Sequence, residues 1–271
     1  MSRRLSEADL GSLISAFSDL PRLRRLHETV RACAPDGAPC LELFLPERLA
    51  GARSLAVLSG SFNPLTGAHL ALAAAADKGG WGPVLFLLST LTIDKERPEG
   101  ALLEDRLLVL ELHARRTATR AVGLTNRGLY VEQAKLIRSA VRSLEDLTFL
   151  VGFDKIVQIF DPRYYDVRDA ALRELFGLAS FAVAPRAGAG PAELAELLAR
   201  PENRPFAGRV RPLALGREYA EISSSAIRAA LASGQPLPSG LPPESEALIA
   251  ASGCYGPSGR YGERAKLIAG L

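Results

Sequence analysis

The chain contains 271 residues, near the upper limit of one domain, and its 48% hydrophobic fraction is sufficient for a large core. A net charge of only +3, without basic stripes interleaved with aromatic residues, argues against a nucleic-acid-binding protein. No run of about 18 apolar residues predicts a membrane-spanning helix, and three cysteines without a C-x-x-C pair exclude the usual zinc and disulfide patterns and predict a cytoplasmic protein.

The N-terminal segment, residues 1–50, is predicted to be a helical accessory segment. Ser6 and Asp9 form a capping pattern ahead of apolar residues at helical spacing, and a second short helix follows. The stretch "APDGAP" predicts a turn, and "CLELFL" is compatible with a strand. Residues 51–271 are predicted to form the main domain.

From residue 55 onward, short apolar strands alternate with helices. The predicted strands are "LAVLSG", "GPVLFLLS", "AVGLT", "LTFLVG", "LASFAVAP" and "RVRPLAL", and helices are predicted over 67–78, 102–116, 131–142, within 154–176, in "GPAELAELLAR" and in "SSSAIRAALASG". Because the strands are continuously apolar, both faces of their sheet must be covered. The sequence therefore predicts an α/β fold with a doubly wound parallel sheet. The stretch "GQPLPSGLPPES" is predicted to be a loop, and the tail from residue 254 to end in a small helix.

The turn after the first of these strands has the features of an anion-binding site. Gly60 permits a tight turn and a close ligand, and the N–H groups of the loop and helix start can bind an anion. The loop is neither a P-loop nor the G-x-G-x-x-G fingerprint. Thr66 and His69 are three residues apart, so at a helix start both side chains lie on one face and suit donation to a phosphate. Alternatively, Thr66 caps the helix and His69 is an ordinary half-buried histidine.

A second cluster, "EISSSAIRAALASG", contains Ser223, Ser224, Ser225 and Arg228. Serine is a common helix N-cap, but an arginine in the first turn opposes the helix dipole at a cost of about 0.3–1 kcal/mol. That cost is compensated if an anion binds there, so the cluster predicts a phosphate clamp. A solvated arginine is the alternative.

With both clusters in view, a family resemblance emerges. "GSFNPLTGAH" resembles the (H/T)-x-G-H signature of the nucleotidyltransferase superfamily, and "ISSSAIR" resembles its second signature, I-S-S-T-x-I-R. "LVGFDKIVQIF" is similar to the family's G-x-D segment. The closest variant is that of the nicotinamide or nicotinic acid mononucleotide adenylyltransferases. The resemblance covers roughly residues 55–233 and implies the Rossmann-like nucleotidyltransferase fold.

The resemblance also implies ligand contacts, matched by position in this sequence. They are the catalytic His69, Thr66 and Arg228 at the triphosphate of ATP; Gly60, Ser61, Phe62 and Asn63 in the phosphate loop; Gly152 and Asp154 at the ribose; Ser223, Ser224 and Ser225 at the β- and γ-phosphates; and Lys95 at the acceptor phosphate. Lys95 could equally be a solvated loop charge.

Three positions depart from the family pattern. Ala68 replaces a glycine, and Ser225 replaces a threonine but keeps the hydroxyl. The tryptophan that stacks on the pyridine ring in relatives has no counterpart, because Trp81 lies in a turn before the second strand of the repeating pattern. The candidates for its replacement are Tyr130, Tyr164 and Tyr165.

The implied reaction is adenylyl transfer from ATP to a small phosphorylated acceptor such as nicotinamide mononucleotide, with loss of pyrophosphate. Mg²⁺ would be carried by ATP, without a dedicated protein metal site, and no nucleic acid or membrane partner is expected. The acid or amide form of the acceptor and the oligomeric state, including a homo-oligomer, are left open. The alternatives are a cytidylyltransferase or phosphopantetheine adenylyltransferase of the same fold, or a regulatory module that binds nucleotide without turnover.

Overall fold

The computed structural model of the chain describes residues 6–91, 100–186, 188–257 and 261–270, apart from the side chains of Arg217 and Ala220. The strands are β1 (Leu41–Phe44), β2 (Ser54–Gly60), β3 (Val84–Ser89), β4 (Arg120–Thr125), β5 (Asp146–Gly152), β6 (Ser180–Ala184) and β7 (Val210–Pro212). The helices are α1 (Glu7–Ala16), α2 (Leu20–Ala32), α3 (Gly67–Lys78), α4 (Leu103–Arg115), α5 (Tyr130–Ala140), α6 (Phe153–Phe160), α7 (Arg168–Leu178), α8 (Pro191–Ala199), α9 (Arg217–Ala220), α10 (Ser224–Ala232), α11 (Pro243–Ser252) and α12 (Tyr261–Ala269). Short 3₁₀ turns lie at Pro46–Leu49, Pro162–Tyr164 and Arg204–Arg209.

The strands form one sheet in the order β1-β4-β3-β2-β5-β6-β7. All neighbours are parallel except β1, which runs antiparallel to β4 at one edge. From β2 the chain first proceeds to β3 and β4 on one side, then returns to β5 and proceeds to β6 and β7 on the other. This confirms the doubly wound α/β fold and places the topological switch point between β2 and β5.

Both faces of the sheet are buried, as the continuous apolar strands predicted. Along β2, Ala56 and Leu58 belong to one buried cluster, whereas Leu55 and Val57 belong to the other. Every residue of β4 and β6 is buried. Burial on both faces is typical of a parallel sheet between two helical layers and leaves the carboxyl edge of the strands as the place for a ligand.

The N-terminal segment packs into this same structure. The Ser6–Asp9 capping box is present at the start of α1. Phe17 and Leu23 are fully buried in the same cluster as Leu58 of β2, and the "CLELFL" strand becomes the antiparallel edge strand β1. The division of the chain at residue 50 stays a prediction, but the segment before it supplies a strand and core side chains to the main sheet.

Among the described helices, the short α9 and the longer α11 were not predicted from the sequence. The loop expected over "GQPLPSGLPPES" ends earlier than predicted, because α11 begins at Pro243. A proline run is typical of a loop, but proline is also tolerated in the first turn of a helix, where its missing N–H is not needed. Within the described part of the chain, no helix is long and apolar enough to cross a membrane.

A buried ion pair fixes the C-terminal helix α12 to α4. The Arg264 guanidinium donates to both carboxylate oxygens of Asp105 at 2.6–3.1 Å, and the Asp105 side chain is fully buried. Tyr261 also donates its hydroxyl to Asp105, and Arg264 donates to the carbonyl of Phe17. The pair therefore joins α4, α12 and the end of α1.

Arg264→Met should lower the free energy of unfolding by about 3–5 kcal/mol, because it leaves the buried Asp105 carboxylate without its cation. The double variant Asp105→Asn/Arg264→Met should lose less, since no unpaired charge remains. Urea unfolding measures both. The matched control is Arg53→Gln, which breaks an exposed pair with Glu145 and should cost no more than about 1 kcal/mol. Equal losses for Arg264→Met and Arg53→Gln would contradict the assignment.

Candidate active site

The backbone carbonyl groups of the loop between β2 and α3 accept hydrogen bonds from side chains of distant parts of the chain. The carbonyl of Asn63 accepts from Arg228 at 2.7 Å, that of Pro64 from the Ser224 hydroxyl at 3.1 Å and that of Leu65 from the Ser245 hydroxyl at 2.9 Å. These bonds come from α10 and α11, about 160–180 residues further along the chain. The two sequence clusters are therefore in direct contact at the carboxyl end of β2.

Within this loop the left-handed residue is Phe62, with φ of 44°, and not Gly60. A Cβ on Gly60 would meet the Phe62 ring at 3.5 Å, an ordinary contact. The Phe62 ring is buried and packs edge-to-face against the rings of His69 (centroids 5.2 Å apart) and Phe86 (5.8 Å). The burial of this ring helps to offset the cost of its backbone conformation.

His69 is held in one tautomer by the start of its own helix. Its Nδ1 accepts from the Thr66 backbone N–H at 3.0 Å and lies 2.9 Å from the Thr66 hydroxyl. Because Nδ1 is an acceptor, the ring proton belongs on Nε2. Nε2 has no hydrogen-bond partner among the described residues, so a neutral donor remains for a ligand. Thr66 is buried, and its bonds to Nδ1 make it a positioning residue for His69. The contacts of Thr66 and His69 with a triphosphate stay predictions.

The electrostatic surroundings keep His69 uncharged. Burial of the half-buried ring, and secondarily the positive charge of Arg186, lower the pKa of His69 to about 4. At neutral pH the imidazole is therefore a hydrogen-bond donor through Nε2 rather than a cation.

The serines of the second cluster have three different positions. Ser223 caps α10 by accepting from the N–H of Ala226, Ser224 binds the loop carbonyl of Pro64, and Ser225 accepts from Arg228 at 3.4 Å. Because α10 begins at Ser224, Arg228 lies in the second turn, and the dipole argument for an anion beside it was wrong. Its guanidinium instead bonds the loop and Ser225.

Gly152 and Asp154 lie where predicted, at the end of β5 and the start of α6, next to the switch point. A Cβ on Gly152 would fall 2.7 Å from Oδ1 of Asp154 and 3.2 Å from Cδ of Arg186. The glycine therefore leaves space for both side chains. Arg186 Nε lies 3.9 Å from Asp154 Oδ1.

Two arginines of the site were missed by the sequence analysis. Arg186 follows β6, and its position at a strand's carboxyl end was the available signal. Arg106 is buried in α4 and donates to the carbonyls of Ala101 at 2.7 Å and Ser61 at 3.4 Å. Burial lowers the pKa of Arg106, and the nearby Arg228 acts in the same direction. Nothing in the spacing of α4 distinguishes Arg106 from a solvated helix residue.

Asn63, Ser61 and Lys95 were also predicted to contact a ligand. Asn63 is 1% exposed, and its Oδ1 accepts from the Ala101 N–H and the Tyr255 hydroxyl, bonds that support the loop. Its contact with a nucleotide stays a prediction. Ser61 is the first residue of the loop and is half-buried. Lys95 lies outside the described residues, so its contact with the acceptor stays a prediction.

Of the three tyrosines proposed to replace the stacking tryptophan, Tyr130 is the one whose hydroxyl is influenced by the charge of Asp154. Its ring packs against Phe149 and Phe181, and burial, with a smaller contribution from Asp154, raises the pKa of its hydroxyl. Tyr165 donates to the carbonyl of Ile159, and Tyr164 is exposed. The role of Tyr130 in ring stacking stays a prediction.

Comparison with known proteins identifies relatives of one kind. The chain is 35% identical over 195 residues to a protein of Laribacter hongkongensis that is named a nicotinate-nucleotide adenylyltransferase. The alignment covers 67% of this chain and 84% of that protein. It is 32% identical over 130 residues to a protein of Schizosaccharomyces pombe named as a nicotinamide mononucleotide adenylyltransferase, but that match covers 46% of this chain and 49% of the relative. No protein-family model matches the chain.

Among solved structures, the fold is similar to that of Plasmodium falciparum nicotinic acid mononucleotide adenylyltransferase. The complex with NaAD aligns with a TM-score of 0.57 at 16% identity, and the complex with APC with a TM-score of 0.55 at 13% identity. Each alignment covers 75% of this chain and 98% of the other. At this identity the likeness concerns the fold alone.

The depressed pKa of His69 has a measurable consequence. The ordinary pKa of histidine is 6.5, and that of His69 in the folded chain is about 4. Between these two pH values, the imidazole of His69 is protonated in the unfolded chain but not in the folded chain. The contribution of His69 to stability is therefore complete above pH 6.5 and is lost progressively as the pH falls toward 4. In an NMR titration of the three histidines, the imidazole signal absent from His69→Gln should titrate near pH 4. A midpoint at or above 6.5 would contradict the described environment.

Proposed function

Since this chain belongs to the nicotinate- and nicotinamide-nucleotide adenylyltransferases, a class of nucleotidyltransferases, we propose that it transfers the adenylyl group of ATP to the phosphate of a pyridine mononucleotide and releases pyrophosphate. The dinucleotide formed would place the chain in NAD biosynthesis.

The observation that carries this proposal is the contact between the two clusters. Arg228 and Ser224 bond the carbonyls of Asn63 and Pro64, so the start of α10 lies directly against the loop after β2. We infer that the two helix starts, α3 and α10, face one ligand site at the switch point, together with the neutral donor His69. Such a set of N–H, hydroxyl and guanidinium donors suits an extended polyphosphate better than a single phosphate.

In the proposed reaction, the acceptor phosphate attacks the α-phosphorus of ATP and pyrophosphate leaves. The attacking phosphate is largely ionised at neutral pH, because the second pKa of a phosphate monoester is near 6, so no general base is needed. His69 donates its Nε2–H to the phosphate oxygens on which negative charge develops, and Arg228 and Ser225 bind the leaving phosphates. Catalysis then rests on positioning and charge stabilisation.

The remaining residues would bind the two nucleotides. Gly60, Ser61 and Phe62 contribute loop backbone to the phosphates, Asp154 accepts from ribose hydroxyls, and Lys95 meets the acceptor phosphate. Mg²⁺ enters with ATP as part of the substrate. No dedicated protein metal site is proposed, since Mg²⁺ bound to ATP needs few protein ligands.

The test of the reaction is pyrophosphate release with ATP or CTP and three acceptors: nicotinamide mononucleotide, its acid form and phosphopantetheine. Release with ATP and either pyridine mononucleotide is expected, and the ratio of the two rates gives the preference for amide or acid. Release with phosphopantetheine or with CTP alone would contradict the proposal. ATP binding without release with any acceptor would favour a regulatory module.

His69→Gln separates catalysis from helix capping. Glutamine at this position can still accept from the Thr66 N–H, as in an ordinary capping box, so the melting temperature should stay close to wild type. Turnover should fall about 10²–10³-fold, the usual effect of losing one donor to developing charge. His69→Ala should lose turnover to a similar extent and also lose cap stability of about 1 kcal/mol. Near-wild-type pyrophosphate release by His69→Gln would overturn the role of His69.

A homo-oligomer and a cytoplasmic location stay predictions for this chain.

A further inference from the structure

Arg186 is held by its backbone at the carboxyl edge of the sheet. It lies two residues beyond β6, its N–H donates to the carbonyl of Ala189 at 3.0 Å, and the reciprocal bond is also 3.0 Å. Gly188 in this turn has φ of 82°, which favours glycine. The tight turn fixes the Cα of Arg186 and directs a long side chain back toward β5.

The side chain of Arg186 lies over the end of β5. Its Cδ approaches the position that a Cβ of Gly152 would occupy to 3.2 Å, and its Nε reaches to 3.9 Å from Asp154 Oδ1. The Arg186 side chain is 48% exposed and that of Asp154 65%. A long contact between two such exposed side chains contributes little, at most about 1 kcal/mol, so a ligand can displace it at small cost.

Arg186 also lies within electrostatic reach of His69. Its charge is the second cause, after burial, of the low pKa of that imidazole. Guanidinium, imidazole and carboxylate thus lie near the carboxyl ends of β6, β2 and β5, respectively. A carboxylate repels phosphate oxygens but accepts from hydroxyls, so Asp154 suits the ribose side of a nucleotide and the two donors suit its phosphates.

We propose that Arg186 is a further catalytic residue, which exchanges Asp154 for the α-phosphate when ATP binds and thereby frees Asp154 for the ribose hydroxyls. This inference rests on the proposed adenylyl transfer. The α-phosphate connects the ribose to the β- and γ-phosphates, so it lies between Asp154 on one side and Ser225 and Arg228 on the other. Arg186 reaches Asp154 at 3.9 Å and acts electrostatically on His69, and its planar fork can bind two phosphate oxygens at once.

The exchange also links binding to positioning. While Asp154 and Arg186 are paired, neither is fully available to a ligand. In a bound nucleotide, the ribose hydroxyls bind Asp154 and the phosphate binds Arg186. Arg186 should therefore increase the affinity for ATP but not the affinity for adenosine.

The test compares Arg186→Gln, Arg186→Lys and the wild type. Pyrophosphate release by Arg186→Gln should fall about 100-fold, whereas Arg186→Lys should retain an intermediate rate because it keeps the charge but not the fork. By calorimetry, Arg186→Gln should bind ATP about 10-fold more weakly and adenosine no more weakly than wild type. In the NMR titration, the pKa of His69 should rise in Arg186→Gln and not in Arg186→Lys.

The matched control is Arg53→Gln, which also removes an exposed arginine paired with a carboxylate but lies beside the start of β2, at the opposite edge of the sheet. It should leave release and both affinities unchanged. Arg186→Gln with wild-type release and wild-type ATP affinity would overturn this inference alone. If the wild type binds ATP but releases no pyrophosphate, the proposed reaction fails, and the ratio of ATP to adenosine affinity still decides whether Arg186 contacts phosphate.

Discussion

The carbonyl groups of the loop after β2 accept hydrogen bonds from side chains of later helices, and the rest of the site depends on this constraint. Ser61, Asn63, Pro64 and Leu65 each accept a hydrogen bond from a different side chain of a later helix. These bonds fix the position of the loop relative to α4, α10 and α11. The helices that supply those bonds follow β3 and β7 in the chain, so the site depends on contacts across the complete fold.

The arrangement of His69 follows from the same loop. Phe62 adopts a left-handed backbone and places its ring between His69 and Phe86, while Thr66 fixes the Nδ1 side of the imidazole. The ring is therefore restrained on two sides, and the one remaining direction for its proton is Nε2. A histidine that would elsewhere titrate near neutral pH is kept neutral because burial and Arg186 both oppose its protonation.

The charges around the site are distributed unevenly. Arg106 and Arg228 both donate to loop carbonyls, and Arg186 reaches only a long contact with Asp154. Elsewhere in the described chain, the half-buried Arg264 binds the carboxylate of Asp105 directly. Cations without a close carboxylate among the described residues create a positive potential at the switch point, which attracts an anionic polyphosphate.

Local patterns in the sequence determined the alternation of strands and helices, the parallel sheet and the two clusters, because hydrophobic period and turn chemistry are properties of neighbouring residues. They did not determine that Asn63 faces inward, that Arg228 bonds the loop, or that Arg106 and Arg186 belong to the site. Those positions depend on contacts between residues far apart in sequence, such as Asn63 and Arg228, which are 165 positions apart. The proline-rich stretch before α11 predicted a loop and not the start of a helix. Only the tertiary structure decides which distant donor reaches which carbonyl, since spacing in one chain segment carries no record of its partner in another.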